Sequence, residues 1–260
     1  MNIVVLVKQV PDTTEIKIDK VNGTLIRNGI PSIINPDDQA AIECALKLKE
    51  RYNAQVTILT MGPMQAVKMQ REILAMGADE AILVTDRKFA GADTKATSYT
   101  IATQLSKMEY DLVIAGRQAI DGDTAQVGPQ VAEIINIPQV TYVDQILNIE
   151  SNKIKVRKSL EESYEIIEAK LPALITTLSE MNTLRYPRID KIVEAHQKEI
   201  QIVTTEDLDI DLAKIGLNGS PTKVKKTYTK EISMNAEVHE LEPKKASELL
   251  INILKEKQYI

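Results

Sequence analysis

Asp111-Leu112-Val113-Ile114-Ala115 runs straight into Gly116-Arg117-Gln118-Ala119-Ile120-Asp121-Gly122-Asp123-Thr124-Ala125-Gln126-Val127-Gly128-Pro129. Behind Asp111, Leu112 to Ala115 form a continuous apolar run, as expected of a strand buried on both faces. A Gly- and Asp-rich turn follows, and from Thr124 to Asn136 the spacing predicts a helix, with Asp123 or Thr124 as its cap. Strand, turn and helix in this order make a βα unit. The same unit recurs to either side. Ile3 to Val7, Gln55 to Thr60 and Ala81 to Val84 are further strand-length runs. Helices are expected over Asp37 to Tyr52, with Asn35-Pro36 as cap and first-turn proline, over Pro63 to Met76, with Gly77 as its stop, and over Asp93 to Met108. Strictly alternating units give an α/β fold: a doubly wound, mostly parallel sheet. From Thr141 onward shorter β-prone pieces (Gln145 to Ile149, Ile154 to Val156, Tyr164 to Ile167, Ala173 to Thr177) read as an antiparallel extension. Beyond Ile200 the chain carries too few apolar positions for a core of its own and ends in an amphipathic helix, Ala246 to Lys257. The domain reading is therefore 1–199 for the α/β domain and 200–260 for an arm that embraces another chain.

Composition narrows the function classes. With 260 residues, 43% hydrophobic and 27% charged, the chain has the make-up of a folding soluble protein. A net charge of −5, from 32 basic and 37 acidic residues, lacks the footprint that phosphate-backbone binding requires, so nucleic acid is not an expected partner. One cysteine and two histidines leave no disulfide, no Cys- or His-built metal site and no Ser-His-Asp triad. Cys44 falls on the apolar stripe of its helix and His196 among charged neighbours, which places the first in the core and the second in solvent. The opening Met1-Asn2-Ile3-Val4-Val5-Leu6-Val7-Lys8 has neither a basic leader nor a cleavage site, and no run reaches membrane-spanning length. A soluble, cytoplasmic protein without membrane insertion is expected.

In an open α/β sheet the strand-to-helix turns at the carboxyl edge are where ligands bind. Gly122 allows a tight turn there, and the N–H groups from Thr124 to Val127 face the position of an incoming pyrophosphate. Read from the residues alone, the segment is equally an ordinary βα turn. Asp121 and Asp123 stand two apart without further candidate ligands nearby, so no metal is expected. Thr60-Met61-Gly62-Pro63, Asn35-Pro36-Asp37-Asp38 and Phe89-Ala90-Gly91-Ala92-Asp93-Thr94-Lys95-Ala96-Thr97 are similar turns, each of which also reads as a capped helix start. All four would meet at one edge of the sheet.

Taken together, these stretches resemble the beta subunit of electron transfer flavoproteins, and the resemblance spans essentially the whole chain. It is carried by Val5-Leu6-Val7-Lys8-Gln9-Val10-Pro11-Asp12, Asn35-Pro36, Met61-Gly62-Pro63, Ala75-Met76-Gly77-Ala78-Asp79, the Gly116 to Gly128 stretch, Leu171 to Thr177, and Asn182 followed by Arg185-Tyr186-Pro187. Val156 to Thr177 fits the family signature through Lys158, Glu161, Glu162, Glu165, Ile167 and Pro172. Ser163 departs where the family prefers Gly or an acid. Family members of the mitochondrial kind show a GKQ…DDD…NQTG run and bind AMP; the flavin-bifurcating, clostridial kind shows GRQ…DGDT-x-QVGP. Arg117, Gly122, Thr124, Val127 and Pro129, with Phe89 to Thr97, are similar to the second kind.

That resemblance implies FAD in the beta pocket, with AMP in the same pocket as the alternative, and NADH as hydride donor. One electron would go to ferredoxin or flavodoxin and one, through FAD on an alpha subunit, to an acyl-CoA dehydrogenase or related flavin dehydrogenase. No side chain is needed as a catalytic acid or base. The cofactor contacts it implies are Leu6, Asn35, Met61, Gly62, Asp93, Thr94, Thr97, Arg117, Asp121, Gly122, Asp123, Thr124, Ala125, Gln126 and Val127. Ile189 is the implied partner anchor, and the arm after 200 is the segment that docks on the alpha subunit. Ser159 stands where mitochondrial-type relatives carry Glu near the alpha-chain flavin.

Overall fold

The computed structural model describes residues 1–12, 31–222 and 238–260. The chain divides into two units, Met1–Lys225 and Lys226–Ile260. The first begins with β1 (Asn2–Leu6), β2 (Gln9–Pro11), β3 (Ser32–Ile34), α1 (Pro36–Tyr52), β4 (Gln55–Met61), α2 (Val67–Met76), β5 (Glu80–Val84) and α3 (Thr94–Leu105). It continues with β6 (Leu112–Gly116), α4 (Val127–Ile134), β7 (Gln139–Glu150), β8 (Lys153–Ser159), β9 (Tyr164–Lys170) and β10 (Ala173–Thr177). It closes with α5 (Ile189–Gln197), β11 (Gln201–Val203) and the single turn α6 (Gly216–Gly219).

The main sheet has the order β11-β5-β4-β1-β6-β10-β7-β8-β9. From β11 to β7 neighbours run parallel, and β7, β8 and β9 form an antiparallel meander at one end. β1 sits in the middle, with Ile3 registered against Val56 on one side and Leu112 on the other. Because successive side chains alternate in direction, each strand feeds two cores. Ile3, Val5, Val56, Ile58, Leu112 and Ile114 join Ile42, Leu46, Ile73 and Leu74 of α1 and α2 on one face. Val4, Leu6, Val84, Val113 and Ala115 join Ile101, Leu105 and Val131 of α3 and α4 on the other. Both faces being covered explains why these strands read as unbroken apolar runs. Cys44 belongs to the first core, where burial pushes its thiol up to about 12, so it is not a reactive thiolate. His196 is exposed.

Four expectations need correction. Ala173 to Thr177, read as part of the antiparallel extension, is β10, a fully buried parallel strand between β6 and β7. Its ALITT sequence fits a two-sided core, and pairing direction leaves no mark in a five-residue pattern. The helix expected from Pro63 opens with a 3-10 turn at Met64–Ala66 and becomes α-helical at Val67. The helix expected from Thr124 starts at Val127, and neither Asp123 nor Thr124 caps it. The chain divides after Lys225 rather than at 199/200. Residues 200–222 belong with the sheet, since β11 pairs with β5 and Val203, Leu208 and Ile215 enter the second core. Of the expected arm, residues 223–237 lie outside the described residues.

In the second unit, α7 (Pro243–Glu256) starts with Pro at its first turn. Ala246, Leu249, Leu250, Ile253 and Leu254 recur at helical spacing along it, giving one apolar stripe. No helix among the described residues is long and apolar enough to cross a membrane.

Candidate functional site

The carboxyl ends of β1, β4, β5 and β6 meet where the chain reverses its winding: from β1 it builds outward through β4 to β5, then returns to place β6 on β1's other side. Such a switch point opens a crevice because the adjacent connections leave on opposite faces. Leu6 ends β1, Met61 ends β4 with Gly62 just beyond, and Asp93 caps α3. Gly116 ends β6 and leads into the turn 117–126. Fourteen of the fifteen expected cofactor contacts therefore line the exits of these strands or the helix starts behind them, and Asn35 joins them from the N-terminus of α1.

The start of α1 braces the turn. Asn35 is fully buried, and its side chain donates to the Gln118 carbonyl at 2.7 Å and accepts the Ile120 N–H at 3.1 Å. Asn35 is the N-cap residue of α1 and its carbonyl accepts the Gln39 N–H, but its side-chain amide shapes the cradle and makes no capping hydrogen bond. Asp38, also buried, accepts from Lys8 N–H at 2.7 Å and Gly116 N–H at 3.1 Å, tying the exits of β1 and β6 together. Burial pushes its carboxyl up to about 7 against the pull of these N–H groups. Asp37 accepts the Gln118 N–H at 3.2 Å, and its carboxyl is raised by burial, an effect the Arg117 guanidinium opposes. This packing is close enough to demand glycine at 116: a Cβ there would stand 2.2 Å from Asp38 Oδ1 and 2.8 Å from the Asp37 carbonyl carbon.

Gly122 is different. Its φ lies outside the left-handed region and a Cβ would meet nothing within 4 Å, so a side chain there brings no backbone strain. The left-handed positions are Asp123 (φ 48°) and Ala125 (φ 52°). They wind the turn so that the N–H groups of Thr124, Ala125, Gln126, Val127 and Gly128 engage no acceptor among the described residues. Successive unpaired N–H groups leading into a helix form an anion-binding concavity. Arg117 adds a second unsatisfied donor set. Its Nε lies 3.3 Å from Asp37 Oδ2, yet that nitrogen is buried and makes no hydrogen bond.

The other wall is knit to this one. Thr94 Oγ1 donates to Gln126 Oε1 at 2.8 Å, joining the start of α3 to the turn before α4. Asp93 caps α3 through Ala96 N–H, and its second oxygen accepts both the N–H and the hydroxyl of Thr222, at 3.0 and 2.8 Å. Its own N–H donates to Ser220 Oγ at 2.8 Å. Burial raises the Asp93 carboxyl, but these hydrogen bonds outweigh it and hold the group below its ordinary value. Thr97 follows one turn on, its N–H bonded to the Asp93 carbonyl. Asp121, Gly122, Asp123, Thr124 and Gln126 form the exposed rim. Among the described residues no group of three acidic, His or Cys side chains is placed to hold a metal.

Sequence reasoning missed Lys8, Asp37, Asp38, Gln118, Ser220 and Thr222 as parts of this site. Asp37-Asp38 read as acids in a first helical turn, a sufficient local explanation. Ile189 is not part of the cleft. It is the first residue of α5, 85% exposed, beside the 92%-exposed Tyr186. The loop before it is fixed by Arg185, which donates to both oxygens of the buried Glu43 at 2.9 Å and to Glu50.

A family model described as the electron transfer flavoprotein domain matches residues 22–208. The electron transfer flavoprotein subunit beta of Clostridium acetobutylicum is 55% identical over 260 residues, covering all of both chains. The chain belongs to the electron transfer flavoprotein beta-subunit family. Also similar are the caffeyl-CoA reductase-Etf complex subunit CarD of Acetobacterium woodii and the acryloyl-CoA reductase electron transfer subunit gamma of Anaerotignum propionicum. They are 51% and 46% identical, each over 88% of both chains. An electron transfer flavoprotein beta subunit works with an alpha subunit and carries electrons, and both statements extend to this chain.

Proposed function

We propose that this beta subunit holds FAD in the carboxyl-edge cleft. The unpaired N–H groups of residues 124–128 cradle the diphosphate, and the Arg117 guanidinium supplies positive charge. FAD held there would supply the redox chemistry, namely acceptance of a hydride from NADH and release of one electron to ferredoxin or flavodoxin and one, by way of the alpha-subunit FAD, to an acyl-CoA dehydrogenase-type partner. The residues of this chain bind and orient. Asn35, Asp37 and Asp38 hold the turn, Thr94 and Gln126 lock its two walls together, and Leu6, Met61 and Gly62 line the inner edge. The single observation that carries the reading is the run of unsatisfied N–H groups beside Arg117, whose buried Nε makes no hydrogen bond. Two CoA-reductase complexes among the similar proteins support the bifurcating variant. We further propose that the segment from Ile200 onward includes the arm that docks on the alpha subunit, that Ile189 anchors the dehydrogenase, and that the complex works in the cytoplasm.

The test is the cofactor content of the purified heterodimer. Two FAD per heterodimer, one of them bleached by NADH, with NADH consumed continuously only when ferredoxin or flavodoxin and the dehydrogenase partner both take electrons, is the expected result. One FAD plus one AMP would establish the simpler carrier, whose beta pocket holds structural AMP. Neither nucleotide would remove the cleft from consideration.

A further inference from the structure

Lys8 follows β1 and nothing in the cofactor reading assigns it a task. Its main chain is pinned on both sides: its N–H goes to Asp38 and its carbonyl accepts the Asn35 N–H at 3.1 Å. Its ammonium crosses the mouth of the cleft to both carboxylate oxygens of Asp121, at 2.7 and 2.9 Å. Asp121 lies in the same turn as the unpaired N–H groups, three residues before Thr124. Both side chains are partly exposed, 49% and 34%, so the pair contributes at most about 1 kcal/mol and opens at little cost. The cleft is lined by more acids than bases. Asp37, Asp38, Asp93, Asp121 and Asp123 face Lys8 and Arg117, and each of the two cations is held beside one acid. A phosphate entering this cleft therefore meets fixed N–H dipoles and the Arg117 guanidinium beside Asp37, and gains a second cation only when Lys8 is released from Asp121.

We infer that Lys8 is a phosphate-binding residue of the cleft and that Asp121 is its resting counter-ion: on nucleotide binding the ammonium leaves the Asp121 carboxylate for a phosphate oxygen. The exchange moves one positive charge and breaks no covalent bond. It rests on the proposal that the cleft binds an adenine nucleotide. The exposed, hydrogen-bonded lysine makes Lys8 the exchangeable cation. Asp121 then tunes phosphate affinity downward, which a purely structural latch would not do. A latch holds the turn in place, and losing either of its halves would weaken binding alike.

The two roles give opposite signs for one substitution. The experiment uses the full chain with its alpha subunit, stripped of nucleotide, and titrates AMP and adenosine calorimetrically into wild type, Lys8→Met, Lys8→Arg and Asp121→Asn. Lys8→Met is expected to weaken AMP about 10-fold, the scale of one charge-assisted hydrogen bond, and to leave adenosine unchanged. Lys8→Arg should recover most of the loss. Asp121→Asn should tighten AMP about 3-fold or more, by freeing the ammonium and removing a negative charge near the phosphate. Weaker AMP binding in Asp121→Asn, or equal losses of AMP and adenosine in Lys8→Met, overturns the assignment in favour of a latch. Wild-type protein that binds neither ligand refutes the cofactor reading itself, and the assignment with it; normal AMP binding with unaltered Lys8→Met affinity refutes the assignment alone.

Discussion

Gly116→Ala and Gly122→Ala should behave oppositely although both glycines lie in one turn. At 116 the new methyl would stand 2.2 Å from Asp38 Oδ1 and 2.8 Å from backbone and Cβ of Asp37. These are not yielding neighbours: Asp38 is itself fastened to Lys8 and Gly116, and Asp37 is in the first turn of α1. Overpacking of this kind costs about 1–3 kcal/mol. The Gly116 hydrogen bond to a buried carboxylate is lost as the two move apart, a further ~1.5–3 kcal/mol. The sum is about 2.5–6 kcal/mol, and for a unit of this size each kcal/mol lowers Tm by roughly 2–4 °C, so a fall of about 5 °C or more, centred near 12 °C, is expected. At 122 the methyl meets nothing within 4 Å and the backbone is not left-handed, so the change stays within about 0.5 kcal/mol. The assay is calorimetric melting of the two variants and wild type without added nucleotide, because ligand would raise Tm by mass action. Equal losses in the two variants, or Gly116→Ala melting within 2 °C (about 0.5–1 kcal/mol) of wild type, would refute the brace between α1 and β6.

Gly122→Val should keep the fold and weaken the cofactor, checked by flavin content against an unchanged melting curve. Arg185→Ala leaves Glu43 buried without its partner, so the melt should show a loss of about 3 kcal/mol; a loss under about 1 kcal/mol would mean that this pair is solvated. Ile189→Ala should leave Tm unaltered, because the side chain is 85% exposed, while electron transfer to the dehydrogenase falls; unchanged transfer would take the residue out of the docking surface. Asp38 has a folded-state pKa of about 7 against an ordinary 3.8, so the native state keeps a proton that the unfolded state releases. Its contribution to stability is therefore greatest below about pH 4 and declines as pH rises to about 7. Asp38→Asn should flatten that decline in urea titrations between pH 4 and 8, and a slope as steep as wild type would place the proton elsewhere.

The doubly wound core was legible because each strand is covered on both faces, which writes itself as runs such as Val4-Val5-Leu6 and Leu112-Val113-Ile114. Pairing direction is not written that way, and β10 shows the consequence: five buried residues look the same whether their neighbour runs up or down. Residues 200–222 were misassigned for another reason. Their few apolar side chains, Val203, Leu208 and Ile215, complete a core built by others, so density along the chain says little about their burial. At the site, residue types that serve a turn were readable, but their division of labour was not. Asn35 and Asp38 act across more than 70 residues of sequence, on Gln118, Ile120 and Gly116, and no local spacing records such partners. Gly122 drew attention for a freedom that Asp123 and Ala125 exercise instead.

The clip between Asp93 and the Ser220 to Thr222 segment has a thermodynamic consequence. Thr222 is the last described residue of the first unit, and it holds the carboxylate that also fixes the first turn of α3 at the cleft. Order imposed on that exit is thereby order imposed on one wall of the cleft. Reciprocity then requires that a ligand which favours the fastened α3 also favours the fastened exit, by the same free energy. On the proposal that the segment beyond Thr222 docks on the alpha subunit, subunit association and ligand retention in the cleft are linked equilibria: the two subunits should bind each other more tightly when the cleft is filled.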